Sequence, residues 1–425
     1  MNTDKQHKWI TAEDAIGFIR SGNRISIPIA CGLPLSLMEA MVLESSRLRD
    51  VEIIGGLQIQ YPFLKEGLEN SFRFKTWQCS PSICRFLKKG TVEYIPMRQG
   101  DVMRVFSRGG PCPVDIAMIQ ISPPDAEGFC SLGVSIEHTL PMVFEADLVI
   151  AEVNTQMPRV MGNAFVHLSK IDYLVESNRP LIEYPSNGDI GESEDSIGRY
   201  IADMIPNGAT IQIGIGTIPQ MVLRHCVKKK DLRFFAIGVD GMVDVVEAGA
   251  VERNGEPKIF IMLALGTEKL FRFIHNNPMV AGRTLEQISN PIEIARIPKF
   301  HSIISAIEVD LTGQLNAETI NGRQFSAIGG SIDYVEGAII SEGGKSIVGM
   351  TSTTTDGKVS RIVPCLPSGS AVTTPRHSIQ YVVTEFGVAN LWGKTLKERA
   401  KALIAIAHPK FRDSLLKVAR KKFFI

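Results

Sequence analysis

The sequence predicts an α/β protein made of two related, doubly wound domains. Strands rich in β-branched residues alternate with helical stretches along the whole chain, which is typical of mostly parallel sheets. A unit of helix, Asn/Gly stop, strand, Gly/Pro turn and helix occurs near the start and again after residue 195. Between the halves, residues 184–191 form a polar, glycine-containing stretch, which we interpret as a linker. We therefore predict one domain over residues 1–187 and a second over residues 188–425.

The composition is that of an ordinary globular protein, and it argues against several functional classes. The chain has 425 residues, of which 44% are hydrophobic and 21% charged, so two or three domains with sizeable cores are expected. A net charge of +1 gives no reason to expect nucleic acid or an anionic membrane as a partner. Seven dispersed cysteines fit reduced thiols in the cytoplasm. We find no metal-binding motif, signal peptide or apolar window of about 18 residues, and we expect a cytoplasmic protein without a metal.

The repeated unit gives the order of elements at the start of each half. In the first half, Thr11 is the expected N-cap of a helix, and a strand at 24–29, a turn at 31–34 and a helix at 35–43 follow. In the second half, the matching elements are a helix at 196–204, a strand at 209–215, a turn at 216–219 and a helix at 220–226. The similar order and spacing favour a duplication over a chance likeness between αβα units.

Further strands and helices continue the alternation. The predicted strands lie at 51–54, 92–96, 114–121, 148–153, 259–265, 303–309, 360–364 and 381–387, and the predicted helices at 81–89, 102–106, 396–407 and 411–421. The apolar runs at 114–121 and 148–153 are typical of strands that are buried on both faces. The last helix is strongly basic, which we interpret as a solvated face.

The stretch at 211–222 contains the main candidate for a binding site. It reads as a buried strand that runs into a glycine turn, with Pro219 in the first turn of the next helix. Gly214 and Gly216 would allow backbone amides to approach a ligand closely. The helix N-terminus then faces the space above the strand, which suits an anion or a phosphate. A purely structural glycine turn is the alternative, since such turns are common in α/β proteins.

Several segments, in order along the chain, carry a resemblance to a known family. They include residues 122–133, Met157-Pro158-Arg159, Gly214-Ile215-Gly216-Thr217-Ile218-Pro219, Asp240-Gly241-Met242-Val243-Asp244, residues 308–314, Gly329-Gly330 and Tyr381-Val382-Val383-Thr384-Glu385. With these segments the chain resembles the acetyl-CoA hydrolase/transferase family, which includes 4-hydroxybutyrate CoA-transferases. The likeness extends from Thr11 to Leu416, and the order of the motifs is far more specific than any one of them.

The resemblance implies a two-domain CoA-transferase fold that binds acyl-CoA between its domains. In this family a glutamate attacks the thioester, an acyl-glutamyl anhydride and then a glutamyl-CoA thioester form, and a second carboxylic acid leaves with CoA. The resemblance also implies an acyl-CoA and a small carboxylate as substrates, no permanently bound cofactor, and a homo-oligomer such as a homodimer. The CoA-binding residues that it implies are Gly214, Ile215, Gly216, Thr217, Ile218, Gly330 and Lys358.

The chain departs from the family where the nucleophile is expected. The family carries its glutamate in a His-Thr-Glu segment shortly before Ser-Asp-Gly, whereas the stretch 231–241 of this chain is one residue shorter and contains no glutamate. Counting back from Asp240 places Ala236 at the glutamate position, and counting forward from Asp231 places Ile237 there. Neither side chain can act as a nucleophile.

Three hypotheses about the chemistry stay open. In the first, another acid takes over, with Asp240, Glu247 and Glu385 as candidates. Each has a structural alternative: a helix start for Asp240, a helix surface for Glu247, and for Glu385 a position that the family keeps alongside its nucleophile. In the second, water hydrolyses the thioester while the amides of the glycine turn stabilise the oxyanion. In the third, the chain is a CoA-binding subunit, regulatory or paired with a glutamate-bearing paralogue.

The remaining polar candidates are interpreted as structural. His138, His167 and His301 are isolated in the sequence, and a lone histidine is more often a hydrogen-bonded core residue than a base. Cys31 lies in the glycine turn of the first half without a basic neighbour, so its thiol is expected to be inert. Specificity for the acceptor acid is expected from loops such as residues 57–61.

Overall fold

The computed structural model describes residues 8–185 and 191–423 of the chain. Within these ranges, no helix combines the length and the apolar character that crossing a bilayer requires. The predicted domain boundary at 187–188 lies outside the described residues.

Residues 8–185 alternate between strands and helices. In chain order they are β1 (Lys8–Trp9), α1 (Ala12–Ile16), β2 (Arg24–Ser26), α2 (Leu35–Leu43), β3 (Val51–Gly55), β4 (Phe72–Thr76), α3 (Cys84–Lys89), β5 (Val92–Tyr94), α4 (Val102–Phe106), β6 (Ile116–Ile121), β7 (Phe129–Ser131), α5 (Thr139–Glu145), β8 (Leu148–Asn154), β9 (Phe165–His167) and β10 (Tyr173–Ser177).

Residues 191–423 continue the alternation. Up to residue 295 the elements are α6 (Glu192–Asp203), β11 (Thr210–Ile213), α7 (Thr217–Cys226), β12 (Arg233–Gly238), α8 (Asp240–Glu247), β13 (Ile259–Ala264), α9 (Glu268–Ile274), β14 (Val280–Gly282), α10 (Leu285–Ile288) and α11 (Pro291–Ala295). The rest are β15 (Phe300–Ser305), β16 (Glu308–Asp310), β17 (Leu315–Asn316), β18 (Thr319–Ile320), β19 (Arg323–Gln324), α12 (Ser331–Ile340), β20 (Lys345–Gly349), β21 (Ile362–Val363), β22 (Tyr381–Thr384), β23 (Gly387–Asn390), α13 (Leu396–Ala405) and α14 (Pro409–Phe423).

The chain forms two compact units. Of the described residues, the first unit contains 8–185, 236–240 and 255–288, and the second contains 191–235, 241–254 and 289–423. The units meet in sequence at 185/186, close to the predicted boundary, but the first unit also takes in two segments from beyond residue 235. A division into domains 1–187 and 188–425 therefore stays a prediction.

The first unit is organised around an eight-stranded sheet with the order β1-β10-β8-β6-β2-β3-β4-β5. Every neighbouring pair in it is parallel. All of β6 and nearly all of β8 are buried, as expected for a parallel sheet that is covered on both faces. Along the chain, strands run outward from β2 through β3 to β5, and then on the other side through β6, β8 and β10. The order of the sheet thus reverses at β2.

The second unit repeats this arrangement. Its strands have the order β12-β11-β15-β20-β22-β23, and the pairs are parallel except β22 with β23. Only residues 233–235 of β12 belong to this unit, since residues 236–238 are grouped with the first. The run β12-β11-β15-β20-β22 matches β3-β2-β6-β8-β10 strand for strand, so β11 occupies the position of β2. A further parallel pair, β13 with β14, belongs to the first unit. The predicted α/β class with two related, doubly wound halves is confirmed.

The core of the second unit holds the ends of β20 and β22 in place. Helix α6 packs on both strands, and α12 packs on β15 and β20. A cluster of buried apolar side chains joins the sheet to α12, α13 and α14; it includes Val335, Val348, Met350, Val382, Leu403 and Leu415. Burial of each larger side chain contributes roughly 1.5–3 kcal/mol, which stabilises the strand ends from which the following segments begin.

The structure confirms the predicted N-cap of α1 and the position of Pro219 in α7, but it changes where some strands and helices begin or end. Thr11 caps α1, since its hydroxyl accepts a hydrogen bond from the amide of Asp14 at 3.1 Å. Strand β2 ends at Ser26 rather than at residue 29, because Pro28 has no amide hydrogen for the ladder. Helix α7 begins at Thr217, so Pro219 lies in its first turn as predicted.

Candidate functional site

The glycine turn follows β11, the strand at which the order of the second sheet reverses. In open α/β sheets, ligands bind outside the carboxyl ends of the strands at such a point. Gly216 has a φ of +113°, a conformation that favours glycine. A Cβ atom placed on Gly214 or on Gly216 would meet no other atom within 4 Å. The turn therefore borders open space, as a loop that receives a ligand must.

Helix α7 begins directly after this turn without a capping side chain. Gly216 is the N-cap residue, and the first turn of the helix contains no acidic residue. The first amides of a helix lack partners within the helix and carry the positive end of its dipole. An anionic group of a ligand would thus meet no competing carboxylate from the first turn of α7.

The corresponding turn of the first unit is closed. A Cβ atom on Gly32, in the turn after β2, would lie 2.4 Å from Cβ of Ser135. At the N-terminus of α2, the carboxylate of Glu152 accepts hydrogen bonds from the amides of Ser36 and Leu37 at 2.9 and 3.3 Å. Glu152 is almost completely buried. The first unit thus has its own carboxylate at the start of α2, whereas the first turn of α7 in the second unit contains no acidic residue.

Ser352 and Glu385 join the chain segments that follow β20 and β22. The amide of Ser352 donates to Oε2 of Glu385 at 2.9 Å, and its hydroxyl donates to Oε1 at 2.5 Å. These segments lie near the glycine turn, because a Cβ atom on Gly349 at the end of β20 would be 3.1 Å from Cγ2 of Ile218. Both carboxylate oxygens of Glu385 are therefore engaged in holding the segment after β20.

Arg361 also holds the segment that follows β20, through hydrogen bonds that connect it to the end of β15. Its guanidinium donates from Nη1 to Oγ1 of Thr351 and from Nε to the carbonyl of Ile307, both at 2.8 Å, and from Nη2 to the carbonyl of Ala306. Burial lowers the pKa of this guanidinium, and the charge of Glu385 opposes that shift. Arg361 thus links the end of β15 to the end of β20, while Glu385 links β20 to β22.

Between these two anchors the chain forms a short hairpin at residues 353–360. Thr353 pairs with Ser360 in an antiparallel bridge, and the amide of Thr354 donates to the carbonyl of Val359 at 3.0 Å. At the tip, Asp356 accepts hydrogen bonds from the hydroxyl of Thr354 at 2.6 Å and the amide of Lys358 at 3.1 Å. These two contacts lower the pKa of Asp356. The side chain of Lys358 is 79% exposed, so the tip presents its ammonium group to solvent.

Gly330, the other predicted CoA-binding residue, begins α12. It is buried, is the N-cap residue of this ten-residue helix, and its carbonyl accepts the amide of Tyr334 at 3.2 Å. As in α7, no side chain caps the helix. The preceding Gly329 has a φ of +55°, so the chain turns sharply into the helix at this point.

The two alternatives for the family's glutamate position differ in environment. Ala236 is completely buried and has a φ of +85°, which is unusual for a residue with a Cβ atom. Ile237, the next residue of β12, is only partly buried. Ile237 is therefore the position of the two that could expose a side chain, and neither residue carries a nucleophilic group.

Asp240 and Glu247 lie at opposite ends of α8. Asp240 begins the helix, and its Oδ1 accepts a hydrogen bond from the amide of Thr267 at 3.0 Å. This contact lies within the first unit, and it matches the structural alternative stated for Asp240, a turn or helix start. Glu247 ends the helix and is exposed, in line with its alternative as a surface residue. Whether either carboxylate takes part in catalysis stays a prediction.

Cys31 belongs to the same group of contacts as Asp240. Its side chain is completely buried, and burial raises the pKa of the thiol to about 12, with a hydrogen bond to the backbone of Gly266 opposing the shift. A thiol with this pKa is protonated at neutral pH and is a poor nucleophile. The interpretation of Cys31 as a structural residue is consistent with these surroundings.

The first unit also contains a cavity of about 700 Å³ that the sequence did not indicate. It is lined by Thr155, Gln156, Met157, Pro158, Pro180, Leu181, Glu183, Glu268, Phe271, Arg272 and His275. Its charged groups contact one another: Arg272 pairs with Glu268 at 2.5 Å, and Glu183 accepts the amide of Glu268 at 2.7 Å. With two carboxylates and one guanidinium, the cavity offers little attraction to a phosphate.

The structure brings several predicted residues to one edge of the second sheet and adds two that the sequence missed. Gly214 to Ile218 lie at this edge beside the segments that lead to Lys358 and Glu385. Ser352 and Arg361 are the additions; they stand in a threonine-rich run and in a predicted strand, without a local pattern that marks their roles. Among the described residues, no cluster of three or more His, Cys, Asp or Glu side chains is placed to hold a metal ion.

Comparison with known proteins gives a consistent result over the whole chain. The acetyl-CoA hydrolase/transferase N-terminal domain matches residues 1–183, and the corresponding C-terminal domain matches residues 266–419. The chain is 41% identical over 426 residues to 4-hydroxybutyrate coenzyme A transferase of Clostridium kluyveri, covering 98% of each protein. It is 35% identical over 436 residues to butyryl-CoA:acetate CoA-transferase of Anaerostipes caccae, covering 98% of this chain and 96% of that one.

A solved structure agrees with the sequence comparisons. The crystal structure of RipA from Yersinia pestis matches with a TM-score of 0.91 and 32% identity, covering 98% of each chain. Both domains of the family match, and the relatives align over 98% of the chain. This chain therefore belongs to the acetyl-CoA hydrolase/transferase family.

Proposed function

We propose that this protein binds an acyl-CoA thioester and moves CoA between small carboxylic acids. The CoA-binding residues in this proposal are Gly214, Ile215, Gly216, Thr217, Ile218, Gly330 and Lys358. The observation that carries it is the open glycine turn before the uncapped N-terminus of α7, at the reversal point of the second sheet. The CoA-transferases among its relatives support the same class of reaction.

The chemistry follows from exchanging one activated bond for another. A carboxylate that attacks the thioester forms an anhydride and releases the thiolate, so the acyl group stays activated without ATP. Backbone amides at the glycine turn are suited to stabilise the oxyanion that develops on the thioester carbonyl. Contacts with the remote nucleotide and pantetheine contribute binding energy that favours the reacting geometry.

The acid that attacks needs a separate proposal, because sequence counting places the family's glutamate position at Ala236 or Ile237 and neither side chain is an acid. Of the three candidates, we rank Asp240 first, since it lies three residues after Ile237. Glu385 ranks below Asp240, because both of its carboxylate oxygens already accept hydrogen bonds from Ser352. Glu247 is third, because it lies exposed at the end of α8.

A second candidate function has a specific observation in its favour. Since neither alternative position for the family's nucleophile carries a carboxylate, water could attack the thioester directly, with the same amides stabilising the oxyanion. The chain could equally act as a CoA-binding subunit beside a glutamate-bearing paralogue. In each case the CoA site proposed above is the same, and only the fate of the thioester differs.

One experiment separates these functions. The protein is incubated with acyl-CoA and a carboxylate, trapped with borohydride or hydroxylamine, and mapped by mass spectrometry while released CoA is assayed. A modified carboxylate with formation of the new thioester supports transfer, CoA release without modification supports hydrolysis, and binding alone supports the subunit role. The variant Asp240→Asn keeps an acceptor for the amide of Thr267, so we expect it to fold, and it tests whether this carboxylate reacts.

The setting of the reaction completes the proposal. We propose a cytoplasmic homo-oligomer, a homodimer in the simplest case, that uses CoA thioester as a substrate and holds no permanently bound cofactor. Size-exclusion chromatography with light scattering tests the oligomeric state. Mixing with a glutamate-bearing paralogue in the same measurement tests the paired form.

A further inference from the structure

We propose that Glu385 and Arg361 are positioning residues for the nucleotide end of CoA: they fix the hairpin 353–360 so that Lys358 at its tip contacts a phosphate group. This inference rests on the proposed CoA site, and it assigns the two residues a role other than chemistry on the thioester.

The first step in the argument is that both ends of the hairpin are anchored. Glu385 holds Ser352 by two hydrogen bonds, of 2.9 and 2.5 Å, and Ser352 is completely buried. Arg361 donates to Thr351 and, in addition, to two backbone carbonyls that follow β15. The amide of Arg361 also donates to the carbonyl of Ser352 at 2.9 Å, which closes the base of the hairpin.

The second step is that the hairpin itself has a fixed shape. Asp356 ties the tip together through the hydroxyl of Thr354 and the amide of Lys358. Gly357 has a φ of +67°, which permits the tight reversal between them. An anchored base and a bonded tip together define where the Lys358 side chain begins.

The third step concerns the charge at the tip. Nζ of Lys358 lies 3.5 Å from Oδ2 of Asp356, and both side chains are more than half exposed, at 79% and 54%. Exposed ion pairs of this kind are weak, so a phosphate can replace Asp356 as the partner of Lys358 at little cost. The base of the hairpin lies at the same sheet edge as the glycine turn, through the close approach of Gly349 to Ile218.

The test compares two ligands whose difference is the nucleotide. Binding of CoA and of pantetheine is measured by calorimetry for the full-length protein and for Lys358→Ala, Glu385→Ala, Glu385→Gln and the double variant with both alanines. Glu342→Ala is the matched control, since Glu342 is an exposed glutamate in the loop before β20, at the opposite end of that strand. Circular dichroism and thermal unfolding verify the fold of each variant.

We expect Lys358→Ala and Glu385→Ala each to weaken CoA binding by about fivefold, the size of one exposed charge contact. Pantetheine binding should stay unchanged in both, because it lacks the phosphates. The double variant should bind CoA no more weakly than the poorer single variant. Glu385→Gln should bind within about twofold of the wild type, since its amide can still pair with the amide and hydroxyl of Ser352.

The experiment distinguishes failure of the positioning role from failure of the proposed CoA site. If Glu385→Ala folds and binds CoA normally, or loses CoA and pantetheine equally, the positioning role is wrong although the CoA site stands. If the wild-type protein binds neither ligand, the proposed function itself is wrong. If Glu385→Ala does not fold, Ser352→Ala replaces it: this variant keeps the backbone donor, the same fivefold loss of CoA alone is expected, and unchanged CoA binding overturns the inference.

Discussion

Ala236 and Ile237 are neighbours in β12 with opposite surroundings: Ala236 is completely buried at a φ of +85°, whereas Ile237 is partly exposed. Sequence counting places the family's glutamate at one or the other. The structure separates them physically, because a charged side chain at the first would be enclosed and strained, while at the second it could reach solvent.

Introducing a carboxylate at Ile237 should therefore give a folded protein that can be trapped covalently. For Ile237→Glu we expect loss of no more than about 2 kcal/mol of the free energy of unfolding, because the site is partly solvated. After incubation with acyl-CoA and borohydride, mass spectrometry should find the label on the introduced side chain. Ala236→Glu is the control, with an expected loss above about 3 kcal/mol. The hypothesis is wrong if the label appears only at Asp240, or if Ala236→Glu is the better-folded variant.

Replacing Ala236 by glycine should stabilise the protein. A residue with a Cβ atom costs about 1–2 kcal/mol in the left-handed region, and the added freedom of glycine in the unfolded chain offsets part of that gain. We expect a net increase of about 1 kcal/mol in the free energy of unfolding, measured by urea titration. Ala264, a completely buried alanine of β13 without a positive φ, is the matched control. Ala264→Gly should destabilise the chain, and a loss of stability in Ala236→Gly would contradict the strain argument.

Gly216→Ala should weaken CoA binding by more than its effect on stability explains. The φ of +113° excludes alanine without a change in the turn, at a cost of about 1–3 kcal/mol. Gly249, in the second unit, also has a positive φ, of +81°, and open space around it. Gly249→Ala should show a comparable drop in melting temperature with normal CoA binding. We expect at least a tenfold loss of CoA affinity for Gly216→Ala alone; equal affinities in the two variants would remove the glycine turn from the site.

His301 should make the protein less stable in weak acid. It is completely buried in β15, and burial lowers its pKa from 6.5 to about 4. Between these values the unfolded chain binds a proton that the folded chain rejects, so the free energy of unfolding falls as the pH is lowered from 6.5 towards 4. The full loss is roughly 3 kcal/mol at one pKa unit per 1.4 kcal/mol.

The measurement is urea unfolding at several pH values for the wild type and His301→Asn. Without the imidazole, the free energy of unfolding should fall by roughly 3 kcal/mol less between pH 6.5 and pH 4 than in the wild type. This difference is expected even if the variant is less stable at neutral pH. His377, an exposed histidine of the second unit, is the control, and His377→Asn should keep the wild-type slope. Identical slopes for all three proteins would contradict the assignment to His301.

The sequence predicted the features that repeat or that depend on neighbouring residues. Alternating strands and helices, the duplicated unit and the N-cap at Thr11 all follow from short-range patterns. The end of β2 was misplaced because Pro28 sits in an apolar run, where its missing amide hydrogen outweighs the β-branched pattern. The reversal of strand order at β11 was not predictable, since it depends on which distant strands pair.

The anchors of the hairpin show why the rest of the candidate site was not predicted. Ser352 and Arg361 read as part of a threonine-rich run and a strand. Glu385 was considered as a possible acid, or as a residue that the family keeps alongside its nucleophile, but not as an anchor for Ser352. Their roles depend on contacts across 33 residues for Ser352 and Glu385, and across more than 50 for Arg361 and the carbonyls after β15. Such contacts carry no local periodicity, so a single sequence does not reveal them.

The carboxylate of Glu152 gives the duplicated architecture an asymmetry with a thermodynamic consequence. In the first unit it occupies the amides at the start of α2, and this interaction is formed once, when the chain folds. In the second unit, the first turn of α7 contains no acidic residue and its N-cap, Gly216, has no side chain to offer. In the proposed function, an anionic group of the ligand makes the matching interaction there. With the proposed CoA site, the free energy of unfolding should therefore rise with the concentration of CoA, whereas the interaction of Glu152 contributes the same amount at every CoA concentration.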